Sequence, residues 1–257
     1  MSTRTALILG LALSICGWTA IASAQTWDHI HLVASDTKAA AEWYAKHFGG
    51  EITKSGPFDA VLFGSNLMKF KRGDAETQGS YGSVVDHLAF SVESATGKAE
   101  ELAADGATVT SPNRRTTVVR QATDPWGTKI ELLQDEDLRG FHHVHLRMVS
   151  SSTATDWYTA VFGGEAASFK DAAGVKAIRY NDMYVFIQRT VRDTAPTTGR
   201  SIDHIGWRFD DFDAIIKRLK GMDVKFVVEP TQSGDHRIAF IEDPSGTKIE
   251  IVETSPQ

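Results

Sequence analysis

The sequence has 257 residues, a formal charge of −6, ordinary hydrophobicity at 42% and a single cysteine, Cys16. A net acidic chain repels polyanions, which argues against nucleic acid as a partner. One cysteine excludes any internal disulfide.

In chain order, residues 1–24 read as an export signal. Arg4 supplies the positive start, Ala6 to Ala20 is largely apolar, and Ala22-Ser23-Ala24 offers small residues for cleavage before Gln25. The apolar run is shorter than the ~20 residues a membrane span requires. The mature protein is therefore expected in the periplasm or secreted, with no membrane attachment after cleavage. Arg4 and Cys16 leave with the signal, so the mature chain is one charge more acidic and carries no thiolate nucleophile or ligand. Its chemistry must use nitrogen and oxygen donors.

The segment around His29 and His31 alternates polar and apolar residues with period two, which predicts a strand with both histidines on one face. A helix follows, with Asp36 as N-cap, Ala40, Trp43, Tyr44 and Phe48 as its core stripe, and Gly49-Gly50 as its stop. Short strands are expected at Ala60 to Phe63 and Leu67 to Phe70, joined by a turn at Gly64-Ser65-Asn66. A second strand from His87 to Val92 leads into a helix over Ala95 to Ala104, closed by Gly106. The turn Asp124-Pro125-Trp126-Gly127 then seats a strand bearing Glu131 between Ile130 and Leu132.

The same series then repeats. His142-His143-Val144-His145 opens it, and Ser150 or Ser151 caps a helix striped with Ala154, Trp157, Tyr158 and Phe162. Strands at Lys176 to Tyr180 and Met183 to Gln188 flank a turn at Asn181-Asp182, His204 to Phe209 leads into a helix over Phe212 to Lys220, and Asp243-Pro244-Ser245-Gly246 seats Glu250. His143 follows His29 by 114 residues and Glu250 follows Glu131 by 119, so the copies differ only by short length changes. This is a duplicated module. The boundaries are expected at 25–135 for the first module, 136–140 for an acidic linker and 141–257 for the second.

Two histidines and a glutamate recur in both copies, and such a set can face an open-sided divalent metal. A glutamate flanked by apolar neighbours points to the face those neighbours leave, where an unpaired carboxylate is costly without a cation. The second copy also places Arg147 in line with His143 and His145, and Arg208 in line with His204. Two arginines in one module predict an anion-selective pocket there, because guanidinium groups bind anions bidentately. His236 is a candidate acid–base residue of the second module.

These residues resemble the vicinal oxygen chelate superfamily, which includes glyoxalase I, extradiol dioxygenases, fosfomycin-resistance enzymes and bleomycin-binding proteins. The resemblance spans nearly the whole mature chain, with a histidine seven residues before the helix cap, as in His29 to Asp36 and His143 to Ser150. It implies an α+β fold: tandem glyoxalase-like modules, each of paired βαβββ units forming an open, curved mixed sheet around a metal site. It also implies Fe, Mn, Ni or Zn held by His29, His87 and Glu131 of the first module and His143, His204 and Glu250 of the second, with each site formed either within one module or by exchange of halves between modules or subunits. Glu131 and Glu250 double as proton acceptors on this reading, while His31, His145, Arg147 and Arg208 contact a small, anionic substrate. Dioxygenase, lyase or isomerase chemistry follows, in a monomer or homodimer. Two features depart from relatives: the strands Leu67 to Phe70 and Val185 to Gln188 lack the fourth glutamate ligand of glyoxalase I, and Gln121 and Phe240 stand where extradiol enzymes place a tyrosine. The alternative is a metal-free sequestering protein of the bleomycin-resistance type.

Overall fold

A computed structural model describes residues 25–110, 119–168 and 174–254. The export segment read from residues 1–24 lies outside the described residues. Four βαβββ units follow one another. The first contains β1 (Gln25–Ala34), α1 (Thr37–Phe48), β2 (Glu51–Ser55), β3 (Phe58–Phe63) and β4 (Asn66–Arg72); the second contains β5 (Val85–Ser91), α2 (Ala95–Ala104), β6 (Thr108–Thr110), β7 (Arg120–Thr123) and β8 (Lys129–Leu133). The third contains β9 (Gly140–Met148), α3 (Ser151–Phe162), β10 (Glu165–Ala167), β11 (Val175–Tyr180) and β12 (Met183–Arg189); the fourth contains β13 (Ile202–Phe209), α4 (Phe212–Gly221), β14 (Lys225–Ser233), β15 (His236–Glu242) and β16 (Lys248–Glu253). Gly140, expected as the last linker residue, is the first residue of β9.

Local signals account for the helix ends. Asp36 caps α1 by accepting from the Ala39 amide, Ser150 caps α3 by accepting from Thr153, and Gly49 closes α1 in the left-handed conformation at φ 75°. Ser94 and Asp211 cap α2 and α4 in the same way. Among the described residues no helix is long and apolar enough to cross a membrane.

The strands assemble into two eight-stranded sheets, ordered β14-β15-β16-β13-β1-β4-β3-β2 and β10-β11-β12-β9-β5-β8-β7-β6. Each sheet therefore joins units from different modules: the first unit pairs with the fourth through antiparallel β1 and β13, and the second with the third through antiparallel β5 and β9. A four-stranded unit alone would leave its first strand as an unpaired edge. Exchange between modules removes that edge twice.

Packing binds the units the other way. Phe48 at the end of α1 stacks on Phe90 of β5 at 3.8 Å, and Phe162 at the end of α3 stacks on Trp207 of β13 at 4.1 Å. The apolar stripes thus seal neighbouring units within a module, while the hydrogen-bond ladders join units across modules. The repeats differ at one turn: Trp126 meets Trp43 edge-on, whereas Ser245 leaves a pocket of about 500 Å³ against Trp157 and Tyr158.

Each module also pins a helix to its Asp-Pro turn. The Tyr44 hydroxyl donates to Asp124 Oδ2 at 2.8 Å and Tyr158 donates to Asp243 Oδ2 at 2.8 Å. The other Asp124 oxygen accepts from the Trp126 and Thr128 amides. Burial outweighs these donors and pushes the Asp124 carboxyl up to about 6. A raised folded-state value means that ionising Asp124 costs stability as the pH climbs through about 6. Tyr44→Phe removes one donor from a buried carboxylate and should cost about 1–3 kcal/mol, with the larger loss at pH 8 and the smaller at pH 5. Equal losses in denaturant melts at both pH values would contradict an ionised acceptor.

Candidate metal centres

Strand alternation puts His29 and His31 on one face of β1, with Ile30 and Leu32 buried on the other. The antiparallel register then sets His31 opposite His204 and His29 opposite Gly206. Parallel β16 brings Glu250 beside Gly206. His29, His31, His204 and Glu250 consequently gather with their donor atoms all within 4.8 Å of one another. Glu250 Oε2 lies 3.0 Å from both His29 Nε2 and His204 Nε2, and His31 Nδ1 lies 3.1 Å from His204 Nε2.

The opposite ring nitrogens are already engaged. His29 Nδ1 bonds Asp28 at 2.7 Å and His204 Nδ1 bonds Asp203 at 2.6 Å, which turns each Nε2 toward the centre. Asp28 is itself held by Arg208 at 2.7 Å, and Asp203 by Lys71 at 2.9 Å and Lys248 at 2.5 Å. Burial raises the carboxyl of Glu250, yet hydrogen bonds from His204 and His29 outweigh it and hold the group far below the usual range. Burial and the neighbouring His204 and His29 hold His31 well below an ordinary imidazole. It is neutral at pH 7, as a donor ligand must be.

The second sheet repeats the plan. His145 faces His87 and His143 faces Ala89 across β5 and β9, and the donor atoms of His87, His143 and His145 lie within 4.8 Å. His87 Nδ1 bonds Asp86 at 2.7 Å, and Lys129 holds Asp86 at 2.7 Å. His143 Nδ1 lies 2.8 Å from His142 Nδ1, and His142 Nε2 reaches Asp135 at 3.1 Å. Burial holds His143 and His145 well below an ordinary imidazole, helped by His142 at the first and His87 at the second. Glu131 stands 3.6 Å from His87 and 3.9 Å from His143.

The orienting residues Asp28, Asp86, His142 and Asp203 escaped the sequence reading, although each precedes a candidate ligand. Adjacent residues on a regular strand point to opposite faces, so an Asp-His neighbour pair gives no expectation of contact. The ladder explains the exception. Its register shifts fall between Trp27 and His29, between Val85 and His87, between Ala89 and Phe90 opposite His142, and between His31 and Leu32 opposite Asp203. All four orienting residues are the extra residue of a β-bulge, which re-aims a side chain beside a site.

The structure groups the candidate ligands across modules rather than within them. The sets His29-His87-Glu131 and His143-His204-Glu250 do not assemble within modules. His29 meets His204 and Glu250, and His143 meets His87, because the sheets exchange halves. The same exchange separates the two arginines: Arg208 pairs with Asp28 at the first centre, and Arg147 stands 3.5 Å from Asp86 at the second. Neither centre holds both, so the two arginines expected to share one anion-selective pocket of the second module stand at different centres. His236 joins neither cluster. It begins β15 beside Asp235, four residues along the strand from Phe240, the residue registered with Glu250. That separation is about 13 Å.

Comparison with solved structures gives the same fold. Glyoxalase I from Zea mays aligns at a TM-score of 0.71 with 18% identity, over 90% of this chain and 93% of that one. A putative dioxygenase from Bacillus subtilis subsp. subtilis str. 168 aligns at 0.66 with 15% identity, over 90% of this chain and 86% of that one. No curated protein sequence matches the chain. The family model for the Glyoxalase/Bleomycin resistance protein/Dioxygenase superfamily matches residues 26–132 and 140–251. Its two matched segments fall on the two copies of the repeat, and the chain belongs to that superfamily.

Proposed function

We propose that the chain is an exported, divalent-metal-dependent enzyme acting on a small substrate with neighbouring oxygen atoms. One observation carries this reading: buried imidazoles converge on two points, and His29, His204, His87 and His143 each have their outer nitrogen on an orienting partner. An unpartnered buried nitrogen is costly, and the partner-oriented ring is the usual arrangement of a metal-binding histidine. The nitrogen and oxygen donors suit Fe, Mn, Ni or Zn. His29, His204 and Glu250 would hold one ion, and His87 and His143 the other, with Glu131 alongside.

A bound divalent cation supplies Lewis acidity toward two adjacent oxygens and stabilises the oxyanion formed from them. The protein's own groups do the rest. Asp28, Asp86 and Asp203 fix the ring orientations and keep a proton on each Nδ1, and the buried strands keep water from the ligands. Glu131 or Glu250 would take a proton from the substrate. Arg147 and Arg208, at the margin of one centre each, suit an anionic substituent. Dioxygenase, lyase and isomerase chemistry all use such a set, so substrate turnover assigns the reaction class. Residues 1–24, read as an export signal, would send the chain to the periplasm or out of the cell.

Purified mature protein is expected to carry stoichiometric Fe, Mn, Ni or Zn, reduced by His204→Ala or His87→Ala. The metal-loaded protein should turn over a member of a panel of catechols, 2-oxoaldehydes and phosphonates. Folded protein that binds members of the panel without metal and without turnover would favour sequestration instead.

A further inference from the structure

The two centres occupy equivalent registers but hold their glutamates differently. Glu250 touches two imidazoles at 3.0 Å, and its side chain is 10% exposed. Glu131 stands back at 3.6 and 3.9 Å and its side chain is 20% exposed. It falls outside the second cluster of converging donors, which consists of three histidines. Both ring nitrogens of His145 are buried without a hydrogen-bond partner, as are the Nε2 atoms of His87 and His143. Three imidazoles in this state share a desolvation cost, and a single cation bound to one nitrogen of each ring relieves most of it. The first centre contributes the matching histidine, His31, whose Nε2 also lacks a hydrogen-bond partner.

The surroundings diverge in step. Where the first sheet registers Lys69 with His31, the second registers Phe186 with His145. Phe186 stacks on His143 at 4.1 Å. That ring fixes His143 from the side, so the second centre keeps its shape without a carboxylate drawn against the imidazoles.

We propose that His31 and His145 are metal ligands and that the centres divide their roles. The first is a closed set of three imidazoles and Glu250. The second binds through three imidazoles and leaves Glu131 unligated beside an open position, as a proton acceptor. Closed four-donor sets are the structural type, and three-donor sets with an open position the catalytic type. This division rests on the proposal that both centres bind a divalent cation.

Co(II) titration of the full chain, followed by its visible absorption, separates the cases. The second centre is read in a His204→Ala background and the first in a His87→Ala background. His145→Ala and His31→Ala should each weaken Co(II) binding at their own centre by at least about tenfold. Glu250→Gln should do the same, whereas the equally isosteric Glu131→Gln should leave Co(II) affinity and spectrum unchanged. Equal weakening by both glutamine variants overturns the division, as does unchanged binding in both alanine variants. Wild-type protein that binds no Co(II) overturns the metal reading itself and the division with it, a result distinct from two bound ions with equivalent glutamates.

Discussion

Alanine at both His29 and His204 is expected to remove one of two bound cations, whereas alanine at both His29 and His87 removes both. The register dictates this pattern. His29 and His204 belong to paired strands of one sheet, and His87 to the other sheet beside His143 and His145. Sites built within modules give the reverse result, because His29 and His87 would then serve a single ion. Metal content per folded chain, measured on both double variants, decides between them. One retained ion in the His29→Ala, His87→Ala protein would refute the exchange of halves. Residues 25–135 produced alone carry two of the four donors of the first centre and one of the three of the second, and should bind no cation tightly as a monomer.

Gly206→Ala should disable the first centre while sparing the second. A Cβ built at Gly206 lies 2.5 Å from His29 Cε1 and 2.7 Å from its Nδ1, closer than such atoms approach. The backbone there is ordinary strand, so the cost falls on the ring. His29 must leave either Asp28 or Glu250, and a ligand torn from its orienting partner loses about 10- to 100-fold in metal affinity. The equivalent position of the second sheet is Ala89, opposite His143. His143 lies against Phe186, stacked within 18° of parallel, and tolerates the methyl group. Ala89→Gly is accordingly expected to change Co(II) binding little. Comparable losses from the two substitutions would show that the glycine is not reserved for the His29 ring.

Much of the architecture was legible from local chemistry. The caps at Asp36 and Ser150, the stop at Gly49 and the aromatic stripes ending at Phe48 and Phe162 act within a few residues of themselves, and the structure places them as read. Short edge strands such as β2, β6 and β10 were not legible. They are held by ladder pairing to a neighbour, and their half-exposed sequences give a weak alternation signal.

The site divides along the same line. Repetition and strand parity identified the histidines and glutamates, because a period of two is a property of the chain itself. Which module's histidine meets which glutamate depends on pairing between strands far apart in sequence, and both a closed and an exchanged arrangement satisfy the same pattern. Tertiary structure alone decided it, by pairing the edge strands β1 and β5 with β13 and β9. The same pairing created the four bulges that turn Asp28, Asp86, His142 and Asp203 onto their histidines, since a bulge exists only relative to the strand opposite.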